Sequence, residues 1–151
     1  LGPFDAFLVA RGLKTLELRV REQSRTAQRL AERLACDRRV RQVFYPGLPS
    51  HPGHATAARQ MDGGFGGMLS CEIHGDFQKA QRVVESTKLF RLAVSLGAVE
   101  SLIEQPAAMS HASYAAADRQ AHGIHDTLIR LSVGLEDPDD LHQDLDRALD
   151  A

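Results

Sequence analysis

Cysteine is scarce in this chain of 151 residues: Cys36 and Cys71 stand alone, too far apart for a local metal knuckle. They read as two buried thiols, a usage that suits a reducing compartment and a cytoplasmic location. Long hydrophobic runs are missing, which excludes an apolar helix able to span a membrane. Neither sign of charge dominates: the formal net charge is −2, so nothing favours nucleic acid or an anionic membrane as a partner. The opening residues have no signal-peptide pattern, because Asp5, Arg11 and Lys14 interrupt the apolar ones. Internal repeats, low-complexity tracts and a second compositional domain are also lacking. The chain begins with Leu1 rather than Met and runs almost at once into a helical pattern, so it reads as a segment of something longer.

What is present suits a single soluble α/β domain. Hydrophobic residues make up 43% and charged residues 25%, enough apolar material for one core without a disulfide or metal staple. Across residues 4–35, Phe7, Leu8, Leu13, Leu16, Val20, Ala27, Leu30, Ala31 and Leu34 recur at helical spacing, with Arg and Glu on much of the other face. This predicts one long helix over residues 1–35 that joins the domain to another body, with Gly12 a weak point costing roughly 1 kcal/mol. Residues 36–151 then form the domain itself.

Short strands are predicted at 40–45, 68–73, 89–96, 101–104 and 128–133, the last being the clearest. Helices are predicted at 55–61 and after an Asp76 cap, where Phe77, Ala80, Val83 and Val84 form the core face. Another covers 113–122 with Gly123 as its stop. The last has Asp137 as N-cap and Pro138 in its first turn, with Leu141, Leu145, Ala148 and Leu149 as its stripe. Alternating helices and strands predict a two-layer fold: a small sheet with helices mainly on one face.

The strongest chemical candidate lies in Leu128-Ile129-Arg130-Leu131-Ser132-Val133-Gly134. Strand alternation puts Ile129, Leu131 and Val133 on one face and Leu128, Arg130 and Ser132 on the other. An arginine in so apolar a strand is costly unless its guanidinium reaches water or an anion. Three readings fit: a clamp for a carboxylate, which the planar fork of donors matches; an edge-strand arginine; or a buried structural pair with an Asp or Glu. In Leu92-Ala93-Val94-Ser95-Leu96-Gly97, alternation would turn the small residues Ala93, Ser95 and Gly97 one way, allowing a ligand or another chain to approach closely.

Other candidates are weaker. His51 and His54 flank Pro52-Gly53, and His122 and His125 flank Gly123-Ile124, but no Cys or carboxylate set completes a zinc-type site. The glycine-rich stretch from Asp62 to Gly67 is not followed by Lys-Ser/Thr, which argues against a phosphate loop. Glu100 and Glu104 lie near one another without a partner geometry and are expected to be solvated.

Taken together, several segments resemble the transsulfuration family of pyridoxal-phosphate enzymes, which includes cystathionine γ-lyase, cystathionine γ-synthase, cystathionine β-lyase and methionine γ-lyase. The resemblance is carried by Gly2-Pro3-Phe4-Asp5-Ala6-Phe7, the stretch from Arg11 to Arg19, Tyr45-Pro46-Gly47-Leu48 with Ser50-His51-Pro52, and Gly66-Gly67-Met68. It continues through the stretch from Ser95 to Ile103, Gln105-Pro106-Ala107-Ala108-Met109-Ser110-His111-Ala112, and the stretch from Leu128 to Asp137. These occur in the family's order and cover nearly the whole chain.

The resemblance implies the small C-terminal domain of an aspartate-aminotransferase-like, fold type I enzyme. Arg130 falls at the position that binds the substrate α-carboxylate. Ser95 falls where the family contacts that carboxylate and the cofactor-bearing lysine, with Val94 and Leu96 beside it on the substrate side. A glutamate commonly stands at the place of Val94 in cystathionine γ-lyases, and a valine in methionine γ-lyases, so Val94 implies a less polar distal pocket. Ala98 replaces a glycine often found after Ser-Leu-Gly.

One departure matters more. The family's Schiff-base lysine sits in a Ser-x-Thr/Ser-Lys stretch followed by Gly-His. The chain has only Lys14, Lys79 and Lys88, and Ser86-Thr87-Lys88 is followed by Leu89-Phe90. Lys88 reads instead as a helix-end residue complementing the dipole. Pyridoxal phosphate is therefore expected to be bound by an upstream domain, and the isolated chain to be inactive. The intact enzyme would act on sulfur amino acids or homoserine esters as a homotetramer. The alternative is a stand-alone, non-catalytic binding or assembly domain derived from such an enzyme.

Overall fold

The computed structural model describes residues 1–151. Helices α1 (Pro3–Leu13) and α2 (Leu16–Ala35) lead into strand β1 (Val40–Phe44), helix α3 (His54–Gln60), strand β2 (Met68–Ile73) and helix α4 (Phe77–Ser86). Then come β3 (Arg91–Leu92), β4 (Leu102–Glu104), α5 (Ala116–Ala121), β5 (Leu128–Ser132) and α6 (Pro138–Leu149). The strands form one sheet in the order β1-β2-β5-β4-β3, antiparallel except for the parallel β3–β4 pair. No helix is long and apolar enough to cross a membrane.

Local signals explain most element boundaries. The Asp76 carboxylate accepts the Lys79 N–H at 2.8 Å and starts α4. Asp137 accepts the N–H groups of Asp139 and Asp140 at the start of α6, with Pro138 in the first turn. Gly123, with φ of +74°, stops α5 in the left-handed conformation that glycine tolerates best. Ala27, Leu30, Ala31 and Leu34 bury one stripe of α2, and Leu141, Leu145, Ala148 and Leu149 one stripe of α6.

Those stripes and the buried residues of α4 pack in one core with Leu69, Cys71 and Ile73 of β2, Ile103 of β4, and Ile129 and Leu131 of β5. The alternate residues therefore occupy the opposite face of the sheet: Ser70 and Glu72, Leu102 and Glu104, Arg130 and Ser132. Apolar residues on one face and a mostly polar row on the other make the sheet two-sided.

Four expectations need correction. The single helix over residues 1–35 is broken at Lys14-Thr15, where Thr15 leaves helical geometry with φ −117° and ψ 9°. The break leaves the Gly12 carbonyl short of a regular helical donor, and Arg19 Nη1 donates to it at 3.0 Å. The strand expected at 89–96 shrinks to Arg91–Leu92; the remainder is irregular backbone held by side chains, as described below. Cys36 is exposed and only Cys71 is buried, because Cys36 lies beyond the packed stripe of α2. Glu104, expected in solvent, is 1% exposed, because alternation in β4 turns it beneath neighbouring structure with Leu102.

Candidate functional site

The off-core face of β5 organises the site. Arg130 stands between Ser70 on β2 and Glu104 on β4, its direct partners across the sheet. β5 is central, so the edge-strand reading of Arg130 falls. Its guanidinium meets the Glu104 carboxylate, Nη1 to Oε1 at 2.9 Å. Nη2 donates to the carbonyl oxygens of Val94 at 2.8 Å and Ser95 at 3.1 Å. The structural pair expected as one of three readings is thus present. The side chain nevertheless remains 23% exposed, so part of this charged fork faces outward.

The stretch 94–101 owes its shape to side chains from elsewhere in the fold. Arg130 takes two of its carbonyls. Ser132, two residues on along the same face of β5, accepts the Gly97 N–H on its hydroxyl at 2.9 Å. Gln23 of α2 donates to the Ala98 carbonyl at 2.8 Å, and the Leu135 N–H to the Val99 carbonyl at 2.8 Å. Gly97, with φ of +75°, allows the turn between these tethers. Val94, Ser95 and Leu96 are exposed, and the chain runs here without a strand ladder. Small-residue alternation is therefore not what makes this stretch a surface; tethering from beneath is.

The resemblance implies that Arg130, Val94 and Ser95 share one site; here the Arg130 guanidinium bonds the backbone carbonyls of the other two. Strand alternation placed Ser132 on the face of Arg130, but Glu104 and Gln23 were missed. Glu104 carried a usable signal, since strand period puts it on the Leu102 face. Gln23 had none: its partner is 75 residues away.

Other quoted motifs are packing devices. Tyr45 is fully buried and its hydroxyl donates to the Gly66 carbonyl at 2.9 Å, tying the Tyr45-Pro46-Gly47-Leu48 turn to the glycine stretch before β2. Burial pushes its phenol up to about 12, with a smaller contribution from Glu32. A Cβ at Gly47 would stand 2.6 Å from the buried Tyr45 ring and 2.9 Å from Phe65, so the position favours glycine. The histidines engage neighbours: His51 Nδ1 accepts the Gly53 N–H, His54 Nδ1 meets the Pro46 carbonyl, His122 Nδ1 the Asp118 carbonyl, and His125 Nδ1 the Glu72 carboxylate.

The three lysines lie apart from this face. Lys79 lies on α4 and Lys88 two residues beyond its end, where α4 packs into the core on the face opposite Arg130. Lys14 lies at the α1–α2 break. None of the three is a partner of Arg130, Glu104 or the 94–101 stretch.

Comparison with known proteins gives these features a context. The chain is 53% identical over 150 residues to cystathionine γ-lyase of Mus musculus, 54% over 148 residues to cystathionine γ-synthase of Mycobacterium tuberculosis, and 52% over 148 residues to cystathionine β-lyase of Coxiella burnetii. Each match covers at least 98% of this chain but only 37% or 38% of the relative, so the chain spans little more than a third of their length. The crystal structure of a cystathionine γ-lyase from Micromonospora echinospora superposes with a TM-score of 0.93 at 49% identity, covering 99% of this chain and 39% of that one. A cystathionine γ-synthase from Xanthomonas oryzae, in complex with aminoacrylate and cysteine, gives 0.91 at 49% identity, covering 98% of this chain and 38% of that one. A family model described as Cys/Met metabolism PLP-dependent enzyme matches residues 1–150, and the chain belongs to that pyridoxal-phosphate-dependent family.

Proposed function

We propose that this chain is the C-terminal part of a pyridoxal-phosphate-dependent transsulfuration enzyme and contributes the side of the active site that binds the substrate carboxylate. The intact enzyme acts on sulfur amino acids or homoserine esters, cleaving or exchanging a C–S bond or a comparable leaving group. The relatives, named as cystathionine lyases and synthases, support this substrate class. The observation that carries the reading is Arg130 itself. It is a partly exposed guanidinium on the off-core face of a central strand, set directly against the irregular stretch 94–97.

Each residue then has a role. Arg130 offers a planar fork to the α-carboxylate and fixes the orientation of the amino acid. Ser95 orders the same end of the site. The exposed side chains of Val94 and Leu96 flank it and give the distal side an apolar character. Pyridoxal phosphate, when bound, supplies the electron sink for carbanion chemistry. The groups that hold it, including the lysine that attaches it, come from the part of the enzyme outside this chain, and the chain alone is inactive.

The apolar residues of α1 are covered by another body in the intact enzyme, a homotetramer, and by self-association when the chain is isolated.

The test is to mix the purified chain with pyridoxal phosphate, reduce with borohydride, and map the product by mass spectrometry. The expected result is no saturable one-to-one adduct. A stoichiometric adduct on Lys14, Lys79 or Lys88 would overturn the assignment of cofactor attachment to the rest of the enzyme.

A further inference from the structure

We propose that Glu104, held by Ser110, is the positioning residue for Arg130 and sets the orientation in which the guanidinium meets a carboxylate. This rests on the reading of Arg130 as the carboxylate-binding residue.

The backbone places the pair: Glu104 and Arg130 are direct partners in the antiparallel β4–β5 ladder, so their side chains rise side by side from the same face. Their exposure is unequal. The Glu104 side chain is 1% exposed and that of Arg130 23%. The carboxylate is the buried anchor, and the long arginine head is the part that would otherwise sample many rotamers.

Glu104 Oε1 accepts a hydrogen bond from the Ser110 hydroxyl at 3.0 Å and forms an ion pair with Arg130 Nη1 at 2.9 Å. The serine thereby fixes the carboxylate that fixes the arginine. At its other corner the guanidinium is held by the carbonyls of Val94 and Ser95. Two anchored corners define one plane for the fork, which bidentate recognition of a carboxylate requires.

The arrangement is a poor device for stability alone. Glu104 Oε2 is buried with no hydrogen-bond partner, and a half-satisfied buried carboxylate costs more than an apolar residue of similar size. Its negative charge also offsets part of the attraction of Arg130 for an anion. Glu104 therefore acts by orientation rather than by charge. An amide in its place, which keeps an acceptor oxygen, should retain most of the effect, whereas alanine should not.

The experiment uses the full-length holoenzyme and two probes that differ only in the carboxylate, L-methionine and L-methioninamide, with affinity read by calorimetry. Glu104→Ala is expected to weaken L-methionine roughly tenfold and Ser110→Ala about threefold, while Glu104→Gln stays within about threefold of the parent, the scale of one charge-assisted hydrogen bond gained or lost. The amide should bind all three variants as it binds the parent. In turnover, Glu104→Ala should raise KM and leave kcat within about threefold. Arg130→Lys is measured alongside and should abolish the preference for the acid over the amide.

If Arg130→Lys weakens L-methionine but Glu104→Ala and Ser110→Ala do not, the positioning role is overturned while the carboxylate reading stands. If Glu104→Ala weakens acid and amide alike, the effect is general damage and the role is also overturned. If Arg130→Lys leaves the preference intact, the carboxylate reading fails, and this inference with it. Should Glu104→Ala not fold, Ser110→Ala decides alone, since Ser110 is exposed and its truncation spares the core.

Discussion

Ser101 and Glu136 are joined twice: the Ser101 backbone N–H donates to Glu136 Oε1 and the Ser101 hydroxyl to Oε2, both at 2.7 Å. The same hydroxyl accepts the Gly134 N–H at 2.8 Å. These bonds fasten the end of the stretch 94–101 to the turn after β5, so the shape of the candidate site depends on a contact outside it. Gly134 lies beneath, with no space for a side chain. A Cβ there would stand 2.4 Å from the Val99 carbonyl oxygen, a backbone atom that cannot move aside cheaply.

Glu136→Ala should therefore destabilise the chain by about 2 kcal/mol, the range for losing hydrogen bonds to a charged acceptor. Gly134→Ala should cost about 2 kcal/mol or more through overpacking against backbone. Urea unfolding at constant slope measures both. An unchanged midpoint for Gly134→Ala would show that the Val99 carbonyl gives way and that the fastening is loose.

Asp144 of α6 predicts a pH dependence. Its carboxylate is 1% exposed and accepts the backbone N–H groups of Lys88, Leu89 and Phe90 at 2.8–3.2 Å. Burial pushes its carboxyl up, but the three backbone donors and Arg147 outweigh that and hold it below its ordinary value. A lowered folded-state pKa means that the stabilisation is present above the unfolded carboxylate value, about 3.9, and is lost as pH falls through the folded one. Asp144→Asn should cost about 2 kcal/mol at neutral pH, because its amide turns donors toward donors. The gap to the parent should narrow below about pH 4. Unfolding curves at both pH values test this, and a gap of constant size would remove Asp144 as the titrating group.

Much of this molecule's fold was legible in its sequence. Periodicity located β2 and β5 and the core stripe of α6, since each buries one face against a single core and the pattern follows from that burial. It also put Arg130 and Ser132 on a common face. It failed where structure is held by distant side chains: a strand was expected at 89–96, yet residues 94–98 are irregular backbone pinned by Arg130, Ser132 and Gln23. Glu104 was misread for the same reason. A glutamate in a three-residue strand looks solvated until its neighbour in the ladder proves to be an arginine. The α1–α2 break was foreshadowed by Gly12 but not required by it, because apolar spacing runs on through Lys14 and Thr15.

The two thiols should separate cleanly. Cys71 lies buried in β2, and burial, with smaller contributions from Glu72 and Asp37, pushes its thiol up to about 12. The thiolate is the reactive form, so Cys71 is shielded both sterically and by protonation. Cys36 is exposed just past α2. An aromatic disulfide reagent at mildly alkaline pH should titrate one thiol per native chain rapidly and the second only on unfolding. The slow phase then reports opening of a strand that pairs with both β1 and β5. Two rapid thiols would mean that β2 opens locally without global unfolding.

Helix α1 makes the last prediction. It buries none of its residues, and Phe4, Phe7, Leu8, Val9 and Leu13 are all exposed, Phe4 to 71%. So many large apolar side chains on one short helix exceed the scattered exposure of ordinary monomers. The isolated chain should self-associate, with sedimentation coefficients that rise with concentration. Phe4→Gln combined with Phe7→Gln should shift it toward monomer. Because these side chains pack against no core, the double substitution should change unfolding stability by no more than about 0.5 kcal/mol. Loss of association at unchanged stability identifies α1 as the surface that seeks a second body. Association that survives the substitutions moves the interface off α1, and a sharp monomer at every concentration in the parent chain removes it altogether.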